Sequence, residues 1–241
     1  MSNAPDIKSS ADTALQDIKS NYEFIKEQID EARYSVGRKD EVRIMAVTKT
    51  VTCDKINYAQ SLGINLLGEN RVQEFLEKCE NYSENSEIHF IGGLQNNKVK
   101  YIIEKVSMIH SVDSVKLAEE ISRRARQKNL SMDILLEVNI GDELSKGGFA
   151  TAQLLEAAKE ISQKEGIIIR GLMTIPPPFE SEIYFPRMQE LYEELRAKES
   201  FLSKMDTLSM GMSGDYALAV KYGSNIVRIG SGLFGYRNYT K

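Results

Sequence analysis

Arg43 to Lys49, RIMAVTK, is a short apolar run that stops on a lysine. Ile44, Met45, Ala46 and Val47 show no polar alternation, the pattern of a strand buried on both faces, as in a parallel sheet covered by helices. Lys49 then lies at the carboxyl end of that strand, where parallel α/β folds gather their functional groups. A lysine amine held there and partly desolvated is a nucleophile towards a carbonyl; the plainer alternative is a solvated lysine just past a strand.

The same unit recurs along the chain. A helical pattern through Ile56, Ala59 and Leu62 closes at Gly63, and a second apolar segment, Asn65 to Gly68, leads into GEN. Helical spacing at Val72, Phe75, Leu76 and Cys79 precedes a third strand, Ile88 to Ile91, and Lys98 to Lys105 makes the next helix. Met108 to Val112 is the fourth strand, after which Asp113 and Ser114 offer caps to a helix with Leu117, Ala118, Ile121 and Ala125 inside. Asp133 to Ile140 is the fifth, followed by the loop GDELSKGGF and a helix through Leu154, Leu155, Ala158 and Ile161. Ile167 to Thr174 is the sixth and stops at Pro176, Pro177 and Pro178, which have no amide to give a sheet. After a long helix from Glu182 to Glu199 come the seventh strand, Thr207 to Met210, a helix through Ala217 and Val220, and the eighth strand, Asn225 to Ile229.

Eight strands with a helix between each successive pair predict one α/β domain over residues 1–241, a closed (β/α)8 TIM barrel, with an open doubly wound sheet as the alternative. Ahead of it, Leu15, Ile18, Tyr22, Ile25, Ile29, Ala32 and Val36 mark one face of an additional N-terminal helix from Asp12, ended by Gly37. That stripe suits the flank of the barrel left without a helix after strand eight, although it would also serve a dimer. Residues 1–11 are expected to be disordered.

Composition narrows the partners. The chain has 241 residues and a formal net charge of −4, with no basic run to favour nucleic acid or an anionic membrane. Its polar start, MSNAPDIKSS, lacks a signal-peptide core, and nothing approaches ~18 consecutive apolar residues. A cytoplasmic protein acting on small molecules is the expectation. Cys53 and Cys79 have no CxxC spacing, and His89 and His110 do not join them, so free thiols and no metal site are expected. Each histidine is read as a satisfied core or loop residue.

On the barrel, the unusual residues fall at the strands' carboxyl ends: Lys49, Glu69 and Asn70, Met173, Ser209 to Ser213, and Arg228 to Gly232. Gly230, Ser231 and Gly232 can turn backbone amides inward as a nest for phosphate, beyond strands seven and eight where barrels commonly bind it. Ser213 is a candidate cap for the next helix and a hydroxyl for the same site. With Lys49 and Arg228 in one mouth, the pocket suits a phosphorylated carbonyl compound. Asn70 would support a ring oxygen, and Met173 and Met212 would be apolar walls or ordinary packing. Glu69 lacks an evident titrating neighbour and reads as structural.

Seven segments, RIMAVTK, LLGENRVQEF, IHFIGGLQNNK, LLEVNIGDELSKGGF, IRGLMTIP, LSMGMSGDY and VRIGSGLFGYRNY, in this order and spacing closely resemble the YggS/PROSC family of pyridoxal 5′-phosphate homeostasis proteins over Asp12 to Tyr239. Gly93 and Ile88 depart from the family pattern, where a proline and an aromatic are common. The resemblance implies a fold-type III barrel akin to the N-terminal domain of alanine racemase and a monomer, with the cofactor pyridoxal phosphate held as a Schiff base on Lys49. It also implies phosphate at Ser213, Gly230 and Ser231, with Ser209 nearby, and Arg228 facing the pyridine nitrogen. A guanidinium only donates, so it would leave that nitrogen unprotonated and the ring a poor electron sink. The implied role is a carrier that buffers the cofactor or passes it to apoenzymes.

The alternatives are an alanine racemase-like enzyme and a Schiff-base aldolase. Racemisation needs acid/base groups on both faces, and Lys49 serves one. The racemase family takes the other, a tyrosine, from a C-terminal domain that this sequence is not expected to have. Tyr236, Tyr239 and Lys146 are the local substitutes to consider. An aldolase would share the lysine and the nest but would not explain Arg228.

Overall fold

The computed structural model describes residues 7–143 and 146–235. A closed barrel of eight parallel strands, surrounded by helices, is the frame. β1 (Arg43–Val47) pairs with β2 (Leu66–Glu69), β2 with β3 (Glu87–Phe90), and β3 with β4 (Met108–Val112). β4 continues to β5 (Met132–Asn139), and a two-residue strand, β6 (Phe149–Ala150), adds to the end of β5. β5 also pairs with β7 (Ile167–Thr174), β7 with β8 (Thr207–Met212), and β8 with β9 (Ile226–Ile229), which returns to β1 through Ala46 and Ile229. Closure excludes the open sheet.

Every predicted crossover holds a helix, one of them much shorter than expected. α2 (Cys53–Ser61), α3 (Val72–Lys78), α4 (Val99–Ile102), α5 (Val115–Gln127), α6 (Thr151–Ser162), α7 (Ser181–Lys198) and α8 (Tyr216–Lys221) fill the crossovers, and one further turn, α9 (Ser231–Phe234), follows β9. The segment predicted as a helix over residues 98–105 is instead a 3-10 turn, Asn96–Lys98, feeding the single α-turn of α4. Ser114 caps α5 by accepting the Leu117 amide. Ser213 does not cap α8: Asp215 occupies that position, and the Ser213 hydroxyl accepts the Gly232 amide at 3.0 Å.

α1 (Ile7–Ser35) crosses the predicted flank, packed on α2, α8 and α9. Ile18, Ile25, Ile29 and Ala32 are buried in a cluster with Val220, Val227 and Leu233, so the stripe is covered within the chain. Val36 falls past the helix end and is exposed. α1 begins ahead of Asp12 and takes in residues 7–11, expected to be disordered, since neither glycine nor proline interrupts Ile7 to Ala11. Among the described residues no helix is long and apolar enough to cross a membrane.

The large apolar core lies between sheet and helices, where Phe75, Phe90, Phe185 and many aliphatics are fully buried. Inside the barrel the apolar groups are fewer. Met45, Leu66 and Ile226 make one cluster, and Met108, Leu135 and Met173 another. Gly68 permits the first: a Cβ there would sit 2.6 Å from the Met45 sulfur. Between and above these clusters the interior is polar, with His89, His110, Ser209 and Arg228 all buried.

Candidate functional site

Lys49 sits just past β1 on a tightly fixed backbone. The Thr48 amide bonds to the Gly68 carbonyl at 3.1 Å, its hydroxyl donates to Glu69 Oε1 at 2.6 Å, and its own carbonyl accepts from Lys78 Nζ at 3.1 Å. On the other side Thr50 adopts a left-handed φ of 62° and gives its amide to the Glu74 carboxylate. A β-branched residue in that region is strained, and such strain persists where surrounding contacts over-determine the backbone. The Lys49 amine, by contrast, has no hydrogen-bond or ion-pair partner among the described residues.

Glu69 is the support beneath. It is fully buried, burial raises its carboxyl above the usual range, and donation from Thr48 and Tyr82 opposes that shift. Burial and the neighbouring carboxylate push the Tyr82 phenol up, which keeps it a donor. Glu69 thus has the structural role expected. Tyr82 was not legible as its partner, because it lies thirteen residues on and outside any strand or α-helix.

Arg228 rises from β9 into the barrel and is 4% exposed. Nη1 donates to the Ser209 carbonyl at 2.8 Å and hydroxyl at 2.9 Å, and Nη2 to the Thr174 carbonyl at 2.9 Å. Burial lowers its pKa to about 10, with Asp215 and Glu137 opposing, so the guanidinium is charged at neutral pH. Of its five N–H groups, Nε–H and one on Nη2 have no partner among the described residues.

These groups share a cavity of 470 Å³ lined by Lys49, Asn70, Met212, Ser213, Arg228, Gly230 and Ser231, and also by Val47, Ile91, Ile175 and Gly214. The volume falls within the ~300–1,000 Å³ usual for small-ligand sites. Ser209 and Met173, the other two predicted site residues, lie outside the lining: Ser209 holds Arg228 from below, and Met173 is packed with Met108 and Leu135. Ile91 and Ile175 were missed because an isoleucine at a strand end is indistinguishable from core in sequence. The loops after β8 and β9 are joined by the Ser213–Gly232 bond, and a Cβ on Gly232 would come within 3.2 Å of Ser213.

Lys146 is half-buried at the rim, where it bonds to the Pro176 carbonyl at 3.2 Å and pairs with Glu143. It does not line the cavity. Tyr236 and Tyr239 lie outside the described residues. His89 and His110, read as separate core residues, are satisfied by each other, with His89 Nδ1 and His110 Nε2 2.9 Å apart.

A barrel whose strand ends present an amine, a buried guanidinium and a Gly/Ser-rich rim is of the alanine racemase N-terminal class, and the family model "Alanine racemase, N-terminal domain" matches residues 14–238. The chain is 41% identical over 221 residues to the pyridoxal phosphate homeostasis protein of Aquifex aeolicus strain VF5, covering 89% of this chain and 96% of that one. It therefore belongs to the family of pyridoxal phosphate homeostasis proteins. Among solved structures, PipY of Synechococcus elongatus PCC7942 with PLP bound superposes with a TM-score of 0.73 at 33% identity, covering 86% of this chain and 100% of PipY. An unknown protein from Bifidobacterium adolescentis gives a TM-score of 0.86 at 33% identity, over 96% of this chain and 98% of that one.

Proposed function

We propose that this chain binds pyridoxal 5′-phosphate at the barrel mouth and serves its homeostasis, buffering the cofactor or delivering it to apoenzymes as a cytoplasmic monomer. The observation that carries the reading is one cavity joining an unpartnered lysine amine, a buried guanidinium with free N–H groups and a Gly/Ser rim. That donor set fits the cofactor, which needs an amine, a donor beside its ring nitrogen and polar groups around its phosphate. When bound, the cofactor supplies an aldehyde that captures amines and a ring that withdraws electrons according to its protonation.

Lys49 is the residue assigned to the aldehyde, and the Thr48–Glu69–Tyr82 bonds hold its backbone. Ser213, Gly230 and Ser231 are assigned to the phosphate. Met212, Val47, Ile91 and Ile175 line the cavity and would give the ring apolar surface, and Asn70 would offer it an amide. Arg228, charged and only donating, would be the group beside the ring nitrogen and would keep a proton off it. Among the described residues that line the cavity, the titratable side chains are Lys49 and Arg228, a set suited to holding the cofactor rather than to two-base chemistry.

Absorption spectroscopy tests this. Pyridoxal phosphate should give a visible band with the protein that disappears in Lys49→Ala, and amino acids should cause no α-proton exchange. Stereospecific exchange would instead support a racemase-like activity, and absence of any band in the unaltered protein would remove the cofactor reading.

A further inference from the structure

The barrel interior contains a continuous file of polar groups running from the mouth to the opposite end. Arg228 Nη1 meets Ser209 Oγ at 2.9 Å, Ser209 Oγ meets His110 Nδ1 at 3.2 Å, His110 Nε2 meets His89 Nδ1 at 2.9 Å, and His89 Nε2 meets Glu87 Oε1 at 2.9 Å. Glu87 in turn accepts from Arg43. His89 and His110 are 1% and 0% exposed, while the Glu87 side chain is 39% exposed at the amino-terminal end of the barrel.

The chemistry of the two ends fixes the direction of every bond between them. A guanidinium can only donate, and an ionised carboxylate can only accept. Glu87 is ionised: both of its carboxylate oxygens accept from the permanently charged Arg43 guanidinium at the half-exposed end of the file. His89 therefore presents Nε2–H to Glu87 and leaves Nδ1 bare. The bare Nδ1 takes Nε2–H of His110, whose own Nδ1 then accepts the Ser209 hydroxyl. Ser209 Oγ remains an acceptor for Arg228. The reverse order would set a bare His89 nitrogen against a carboxylate. A doubly protonated ring would break the order too, and burial opposes it in both histidines. The charged groups acting on the pair are Glu87 from β3, Arg43 from β1, Asp133 from β5 and Arg228 from β9.

We infer that His110 and His89 are positioning residues: with Ser209 and Glu87 they form a one-way hydrogen-bond chain that holds the Arg228 guanidinium in place as the donor at the cofactor site. No net proton moves along it. The inference rests on the cofactor reading for what Arg228 faces, but the order of the chain does not.

Because the chain has two histidines in all, 15N-histidine labelling yields four ring signals. In protein without added cofactor, both rings should show protonated Nε2 and bare Nδ1, unchanged between about pH 5.5 and 8, the range in which a free imidazole titrates. An Nδ1–H tautomer in either ring, or titration near the ordinary value, overturns the inference. With pyridoxal phosphate, His110→Phe should keep the Lys49-dependent band but bind about tenfold more weakly, as loss of a bond supporting a charged group implies, and His110→Asn, which restores an acceptor to Ser209, should recover most of it. Equal binding by all three proteins overturns the positioning role. Should His110→Phe fail to fold, Glu87→Gln at the half-exposed end substitutes for it. That change admits the opposite tautomers, and a spectrum and affinity identical to the unaltered protein's would count against the chain. Absence of a band in the unaltered protein defeats the cofactor reading while leaving the tautomer result standing.

Discussion

At the scale of single residues, the site depends on contacts too close for substitution. Gly232 is the sharpest case, because its amide bonds to Ser213 Oγ and a Cβ would lie 3.2 Å from both Ser213 Cβ and Oγ. Gly232→Ala should separate the loops after β8 and β9 and weaken pyridoxal phosphate binding severalfold, measured by titrating the visible band, while leaving that band dependent on Lys49. Tyr82→Phe probes the other support. It removes one donor from Glu69, a buried carboxylate that has Thr48 as its remaining donor, and should cost about 1–3 kcal/mol of unfolding free energy in denaturant titrations. Lys49 and Ser213 are legible from sequence because a charged or hydroxylic residue just past an apolar run is conspicuous, and Arg228 because a charge inside one is. Tyr82 and the His89–His110 pair were not, because each depends on side chains from separate elements meeting, which no local pattern encodes.

At the scale of elements, patterning was informative wherever burial is one-sided or complete, and weak where a segment is short. β7 is legible at Ile167–Thr174 because three isoleucines open it and a run of prolines from Pro176 stops the chain from continuing the sheet. The helix expected over residues 98–105 shrank to α4 because Ile102 and Ile103 bury a single turn and leave no face for a longer helix. β6 escaped notice, since two residues carry no periodicity. α1 is the element whose role is most open to test. Ile25 is 2% exposed and belongs to the cluster that also contains Leu233 of α9, and Asn21 Nδ2 donates to the Leu233 carbonyl at 3.1 Å. Ile25→Ala should lower stability by about 2–5 kcal/mol, the range for emptying a buried aliphatic site. Since α9 begins at Ser231 on the cavity rim, the same variant should also loosen cofactor binding, whereas an exposed change on the same helix, Phe24→Ala, should alter neither.

For the whole molecule, the placement of buried ionisable groups inside the barrel sets how stability responds to pH. Glu137 on β5 lies two residues beyond Leu135, a member of an interior apolar cluster, and pairs in register with Met173. Burial, reinforced by Asp113 and opposed by Arg228, raises its pKa from 4.5 to about 7. The folded chain therefore holds a proton on Glu137 that the unfolded chain has released between those two values. The stability it contributes is fully present below about 4.5 and is lost as pH rises through about 7, with a slope of at most ~1.4 kcal/mol per pH unit. His89 and His110 act with the opposite sign. Burial lowers both, so the unfolded chain takes up protons below about 6.5 that the folded chain refuses, and stability falls as pH drops through that region. The two effects overlap in the folded protein's own curve, but they separate in a difference. Glu137→Gln removes the alkaline penalty and leaves the histidines in place. Its stability relative to the unaltered protein should climb between about pH 5 and 8 and then level off, as followed by urea unfolding at a series of pH values. A flat difference would mean that Glu137 is ionised in the folded barrel at neutral pH, with Arg228 as its counter-charge, and the guanidinium would then face the cofactor site already neutralised.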